Sequence, residues 1–185
     1  MKCLLSPVLG IAVLTAAPMI NLQAEALPPG QVDFGVFTAP ERGGEFVEVN
    51  LTGSLICIAA RLVEKAEPEV AQLLEGLKLV HVNVIGLDDR NRAELEKRVQ
   101  RVRKDLDGKG WERIVTARKQ EQHVSVYLKT HNKDSVQGLV VVALDGSKQA
   151  VFINIVGDIK PDQLSLLGDR LHIEALKKAA GALEK

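Results

Sequence analysis

Four segments of the chain alternate apolar and polar side chains with a period of two. Val47, Val49 and Leu51 oppose Glu48 and Asn50; Val80, Val82 and Val84 oppose His81 and Asn83. Val124, Val126 and Leu128 oppose His123, Ser125, Tyr127 and Lys129, and Val151, Ile153 and Ile155 oppose Asn154. Successive side chains of a strand point to opposite faces, so each segment presents one apolar and one mixed face. Such strands pair into an antiparallel sheet whose apolar face must be buried. A fifth segment, Leu139 to Leu144, is apolar on both faces. The mixed face must therefore be covered somewhere, by a second chain or by the N-terminal arm.

The segments between these strands read as helices. Thr52 or Ser54 can cap a first one, in which Leu55, Ile58, Ala59, Leu62 and Val63 recur at helical spacing. Pro68 suits the first turn of a second, carrying Val70, Leu73 and Leu74. A long charged helix follows over about 89–107, with the narrow stripe Leu95, Val99, Val102 and Leu106; its interleaved Arg, Lys, Glu and Asp read as a solvated face. Strands over Trp111–Arg118, His123–Lys129, Leu139–Leu144 and Val151–Val156 form a meander, with Asp145-Gly146 as a turn signal. Short helices are expected from Pro161 and from Glu174. The predicted class is α+β: a mostly antiparallel sheet of about six strands with helices packed on one face.

The N-terminus carries an address. Lys2 precedes an apolar run that holds no acid before Glu25, is interrupted by Pro7, Gly10 and Pro18, and ends in Ala24-Glu25-Ala26. That is the form of a cleavable secretory signal peptide over residues 1–26, and it predicts a periplasmic protein in preference to a fully secreted one. An arm over 27–45, rich in Pro and Gly, precedes a single domain over 46–185. No integral membrane segment is expected in the mature chain. With Cys3 lost alongside the signal, Cys57 is the one remaining thiol, and Leu-Ile-Cys-Ile-Ala-Ala reads it as a small buried hydrophobe. The 24 Lys and Arg balance 24 Asp and Glu, and the signal removes one of each, so nucleic acid is not an expected partner.

The segment Phe-Ile-Asn-Ile-Val-Gly-Asp-Ile-Lys-Pro-Asp-Gln-Leu-Ser-Leu-Leu-Gly, preceded by a strand and an Asp-Gly turn, resembles the C-terminal signature of an exported bacterial family catalogued as domain of unknown function 4252. The likeness covers about Gly44 to Ile173 and is specific from Val140 to Leu171. The family has no established activity, so the resemblance implies export and a single domain, and nothing about mechanism. Within that segment Gly157 is expected to permit a tight exit from a buried strand. Asp158 or Lys160-Pro161 sets the next helix start, and Leu164, Leu166 and Leu167 anchor that helix in the core.

Chemistry-bearing motifs are few. There is no Gly-x-Ser-x-Gly elbow and no Gly-rich phosphate loop, and His81, His123, His131 and His172 form no zinc-ligand pair. No catalytic residue, metal or cofactor is assigned. The acidic pairs Asp88-Asp89 and Asp158 with Asp162 stand at strand-to-helix transitions, where carboxylates cap free amides. The candidate ligand- or partner-binding residues are those of the mixed face: Glu48, Asn50, His81, Asn83, Ser125, Tyr127 and Asn154. They point first to a non-enzymatic binding or protein-interaction domain, taking an unknown protein or small ligand or forming a homodimer. One alternative is a small hydrolase or isomerase using His81 and His123 on neighbouring strands. Another is a chaperone-like or regulatory protein that pairs with extended segments at a sheet edge.

Overall fold

The computed structural model describes residues 27–41, 44–119, 121–131, 135–146 and 148–170. The expected signal peptide and the expected last helix lie outside them. The elements run β1 (Phe46–Thr52), α1 (Gly53–Val63), α2 (Pro68–Gly76), β2 (Leu77–Gly86), α3 (Arg92–Gly108), β3 (Glu112–Lys119), β4 (Gln122–Thr130), β5 (Val136–Asp145), β6 (Gln149–Ile159) and α4 (Pro161–Arg170). The six strands form one sheet in the order β1-β2-β6-β5-β4-β3, and every neighbouring pair is antiparallel. Strands β3 to β6 are the predicted meander, with Gly146 at φ +53 in the tip between β5 and β6. No helix among the described residues is long and apolar enough to cross a membrane.

Pairing of β2 with β6 joins parts of the chain far apart in sequence, and the side-chain pattern fixes its register. Val80 faces Ile155, Val82 faces Ile153 and Val84 faces Val151; a slip of one residue would turn each apolar side chain to the wrong face. The apolar face packs against Ile56 of α1, Leu73 of α2, and Leu164 and Leu167 of α4, around Val126, Leu139, Val141, Ile153 and Ile155. Leu164 and Leu167 thus anchor α4 as the sequence predicts.

The α+β class and the antiparallel sheet agree with the sequence; the distribution of helices does not. Rather than joining the other helices on one face, α3 lies on the mixed face and buries its stripe Leu95, Val99, Val102 and Leu106 against Tyr127, Val140, Val142 and Phe152. Helix α3 begins at Arg92, later than expected, because Asp88 holds a turn ahead of it. The Asp88 carboxylate accepts from the backbone N–H of Arg90 and of Asn91, each at 2.8 Å.

Two further expectations are corrected. Strand β6 does not leave the sheet at Gly157 but continues to Ile159. The glycine is needed there because a Cβ would stand 2.4 Å from the Gly76 carbonyl oxygen and 2.7 Å from the Leu77 Cα. Cys57 is exposed, since α1 turns Ile56 and Ala60 to the core and leaves Leu55, Ile58 and Leu62 outside.

Candidate functional site

All seven mixed-face candidates fall on one side of the sheet, in two adjacent cross-strand rows. Glu48 pairs with Asn83, whose row continues through Phe152 and Val142 to Ser125. Asn50 pairs with His81, whose row continues through Asn154 and Val140 to Tyr127. The period-two pattern therefore located the face correctly, yet the face is not open. Asn83, Ser125, Tyr127 and Asn154 are between 0 and 2% exposed. Helix α3 covers the β3 to β5 side, and the arm covers β6 and β2.

Asn154 shows how the arm is fixed. Its side-chain oxygen accepts from the Val32 N–H at 2.9 Å, and its amide nitrogen donates to the carbonyls of Gly30 at 2.9 Å and Leu139 at 3.2 Å. Farther along the arm, Phe34 and Phe37 lie against Phe152, with ring centroids 5.5 and 4.9 Å apart. Arg98 of α3 grips the same segment: its guanidinium donates to the Val36 carbonyl at 2.7 Å and sits 4.7 Å over the Phe37 ring. Gly30, at φ +88, approaches β5 so closely that a Cβ would stand 2.2 Å from the Gln137 carbonyl oxygen. Val32, Phe34 and Phe37 were legible as apolar residues, but the Pro and Gly around them read as loop.

The candidates divide into two groups that do not meet. On β1 and β2, His81 Nε2 lies 3.0 Å from the Asn83 amide nitrogen and 3.9 Å from the Glu48 carboxylate, while the Asn83 side-chain oxygen is buried without a partner. Glu48 and Asn50 are exposed on the outermost strand. Across the sheet, Tyr127 and Ser125 lie under α3. The expected pairing of His81 with His123 on neighbouring strands is corrected by the strand order, because β6 and β5 stand between β2 and β4. Three interstrand steps put β2 and β4 about 14 Å apart, and His123 stands in the row of Ile85, four residues along β2 from His81, so the two imidazoles are too far apart for shared proton transfer. Among the described residues, no three of His, Cys, Asp and Glu come together as a metal site would require.

Beneath α3 the electrostatics are dense. Arg113 of β3 donates to both Asp107 oxygens, at 3.1 and 2.9 Å, and lies 5.6 Å over the Tyr127 ring. The Tyr127 hydroxyl is buried without a well-formed hydrogen bond although Asp107 is close by. Burial raises the Tyr127 phenol above its ordinary value, with Asp107 adding to the rise and Arg113 and Arg103 opposing it. Burial likewise lowers Arg103, with Tyr127 opposing the shift and repulsion from Arg113 and Arg118 reinforcing it.

At the opposite corner the surface is apolar. Val47 of β1 and Leu55, Ile58 and Leu62 of α1 are 39, 50, 57 and 79% exposed. Strand β1 pairs only with β2, so its outer edge is free among the described residues. In the sequence Leu55, Ile58, Ala59, Leu62 and Val63 recur at helical spacing, but α1 is apolar nearly all round, so periodicity could not choose its inner face.

The family described as domain of unknown function (DUF4252) matches residues 41–167, more than half of the chain. No curated protein and no solved structure matches it.

Proposed function

Because the chain belongs to the DUF4252 family, whose description assigns no role, its role must be read from its own surface, and we propose that it is an exported, non-enzymatic protein-interaction domain docking along β1 and α1. Export rests on the leader-like residues 1–26, with the periplasm as destination. One observation carries the interaction: a free edge strand stands beside an exposed apolar helix stripe, Leu55, Ile58 and Leu62. A strand added to β1 would meet Glu48 and Asn50, with His81 behind them, on the mixed face. On the other face it would meet Val47, Val49 and Leu51 beside the α1 stripe. Main-chain pairing supplies affinity in that mode and side-chain alternation supplies register.

The partner we assign first is a second copy, since an apolar stripe beside an edge strand is self-complementary about a two-fold axis. Sedimentation equilibrium tests this. The wild-type protein is expected to dimerise, and Leu62→Glu and Val47→Lys, which place charge on the stripe and the edge, are expected to be monomeric with unchanged unfolding midpoints. A wild-type mass equal to that of both variants across the accessible concentrations would remove the proposal. The free β1 edge also favours a second reading, a chaperone-like or regulatory protein that takes extended segments of other chains; saturable binding of an extended peptide by the monomeric variants would favour it.

A further inference from the structure

Helix α3 and the adjoining strands flank a cleft of about 470 Å³, lined by Arg92, Glu96 and Arg103 of α3, by His123 and Leu144 of β4 and β5, and by Glu121 in the turn before β4. Arg103 reaches into it from beside the helix's buried stripe, and its Nε and Nη2 are buried without any hydrogen-bond partner. Those two nitrogens are not an arbitrary pair. They form the side-on fork of the guanidinium, whose parallel N–H bonds match two oxygens of a carboxylate or phosphate. The Tyr127 hydroxyl, also in electrostatic reach of Arg103, is turned toward Asp107 and does not line the cleft.

The surrounding charges leave this fork without an internal acid. Asp107, one turn along α3, is taken by Arg113 in a two-pronged pair. Glu96 and Glu121 line the cleft, but neither forms an ion pair with Arg103. Arg118, opposite His123 in the β3–β4 pairing, adds positive charge beside the fork. A buried donor pair left unmade is costly, and a ligand that accepts from it recovers much of that cost.

We propose that the Arg103 fork, reached through the α3 cleft, binds the oxyanion head of a small ligand, a carboxylate or a phosphate. Because Glu96 and Glu121 offset the arginines at the mouth, recognition comes from the fork's geometry more than from net charge. The site is separate from the β1 and α1 surface and does not depend on it.

The test is a titration of the purified protein with sodium phosphate and with sodium acetate, ionic strength being held with sodium chloride. Saturable movement of the Arg103 Nε–H resonance with one or both oxyanions, and none with chloride, is the expected result. The salt that produces it identifies the head group. By calorimetry, Arg103→Lys, which keeps the charge but loses the fork, is expected to weaken binding about tenfold or more. Arg101→Gln, on the exposed side of α3, is expected to bind as wild type. No saturable movement with either oxyanion, an equal response to chloride, or full affinity in Arg103→Lys would overturn the proposal. The wild-type titration decides the matter even if a variant fails to fold.

Discussion

Asn154 is a polar side chain in the middle of an apolar strand, and every bond it makes is structural. It converts a stretch of arm that has no ladder of its own into part of the covered face, supplying an acceptor to Val32 and a donor to Gly30. Asn154→Ala should therefore cost about 2 kcal/mol or more, since it leaves buried backbone groups unpaired, and should speed amide exchange at Val32. A denaturation midpoint equal to wild type would contradict that role. Tyr127 makes a different prediction. Its folded pKa lies above the ordinary value, chiefly through burial. The stability linked to its protonated form is therefore whole below about pH 10 and lost as pH rises through the higher folded value. Tyr127→Phe should flatten the fall in stability above about pH 10; an unchanged alkaline profile would show that the phenol does not govern it.

Helices α1 and α3 show opposite sides of the same problem. Helix α3 has a narrow stripe on a charged body, so its inner side is unambiguous, and Leu106, 1% exposed, lies on it. Helix α1 is apolar around most of its circumference, and only packing shows that Ile56 and Ala60 face inward. Leu106→Ala should cost about 2–5 kcal/mol, whereas Leu62→Ala, at 79% exposure, should change stability by less than about 0.5 kcal/mol. Comparable losses in chemical denaturation would mean that the α1 stripe is held by the fold rather than offered to a partner.

Across the whole molecule, what was legible in the sequence was local. Val and Ile at alternate positions identified the strands, Pro68 and Pro161 marked helix starts, and Asp145-Gly146 marked the last hairpin. What escaped was non-local. The β2–β6 pairing that separates His81 from His123, the seating of α3 on the mixed face, and the use of Arg98 as a clamp on the arm each depend on residues distant in the chain. The candidate site was legible as a face but not as an open one. Its buried members hold the arm and α3, while Glu48 and Asn50 remain at the free edge. The central functional claim is that this edge pairs with another strand. Amide exchange at residues 46–52, followed over a range of protein concentrations, tests it most directly. Alternate β1 amides are expected to become more protected as concentration rises while the outer strand β3 does not change; exchange in β1 that is independent of concentration would contradict the pairing.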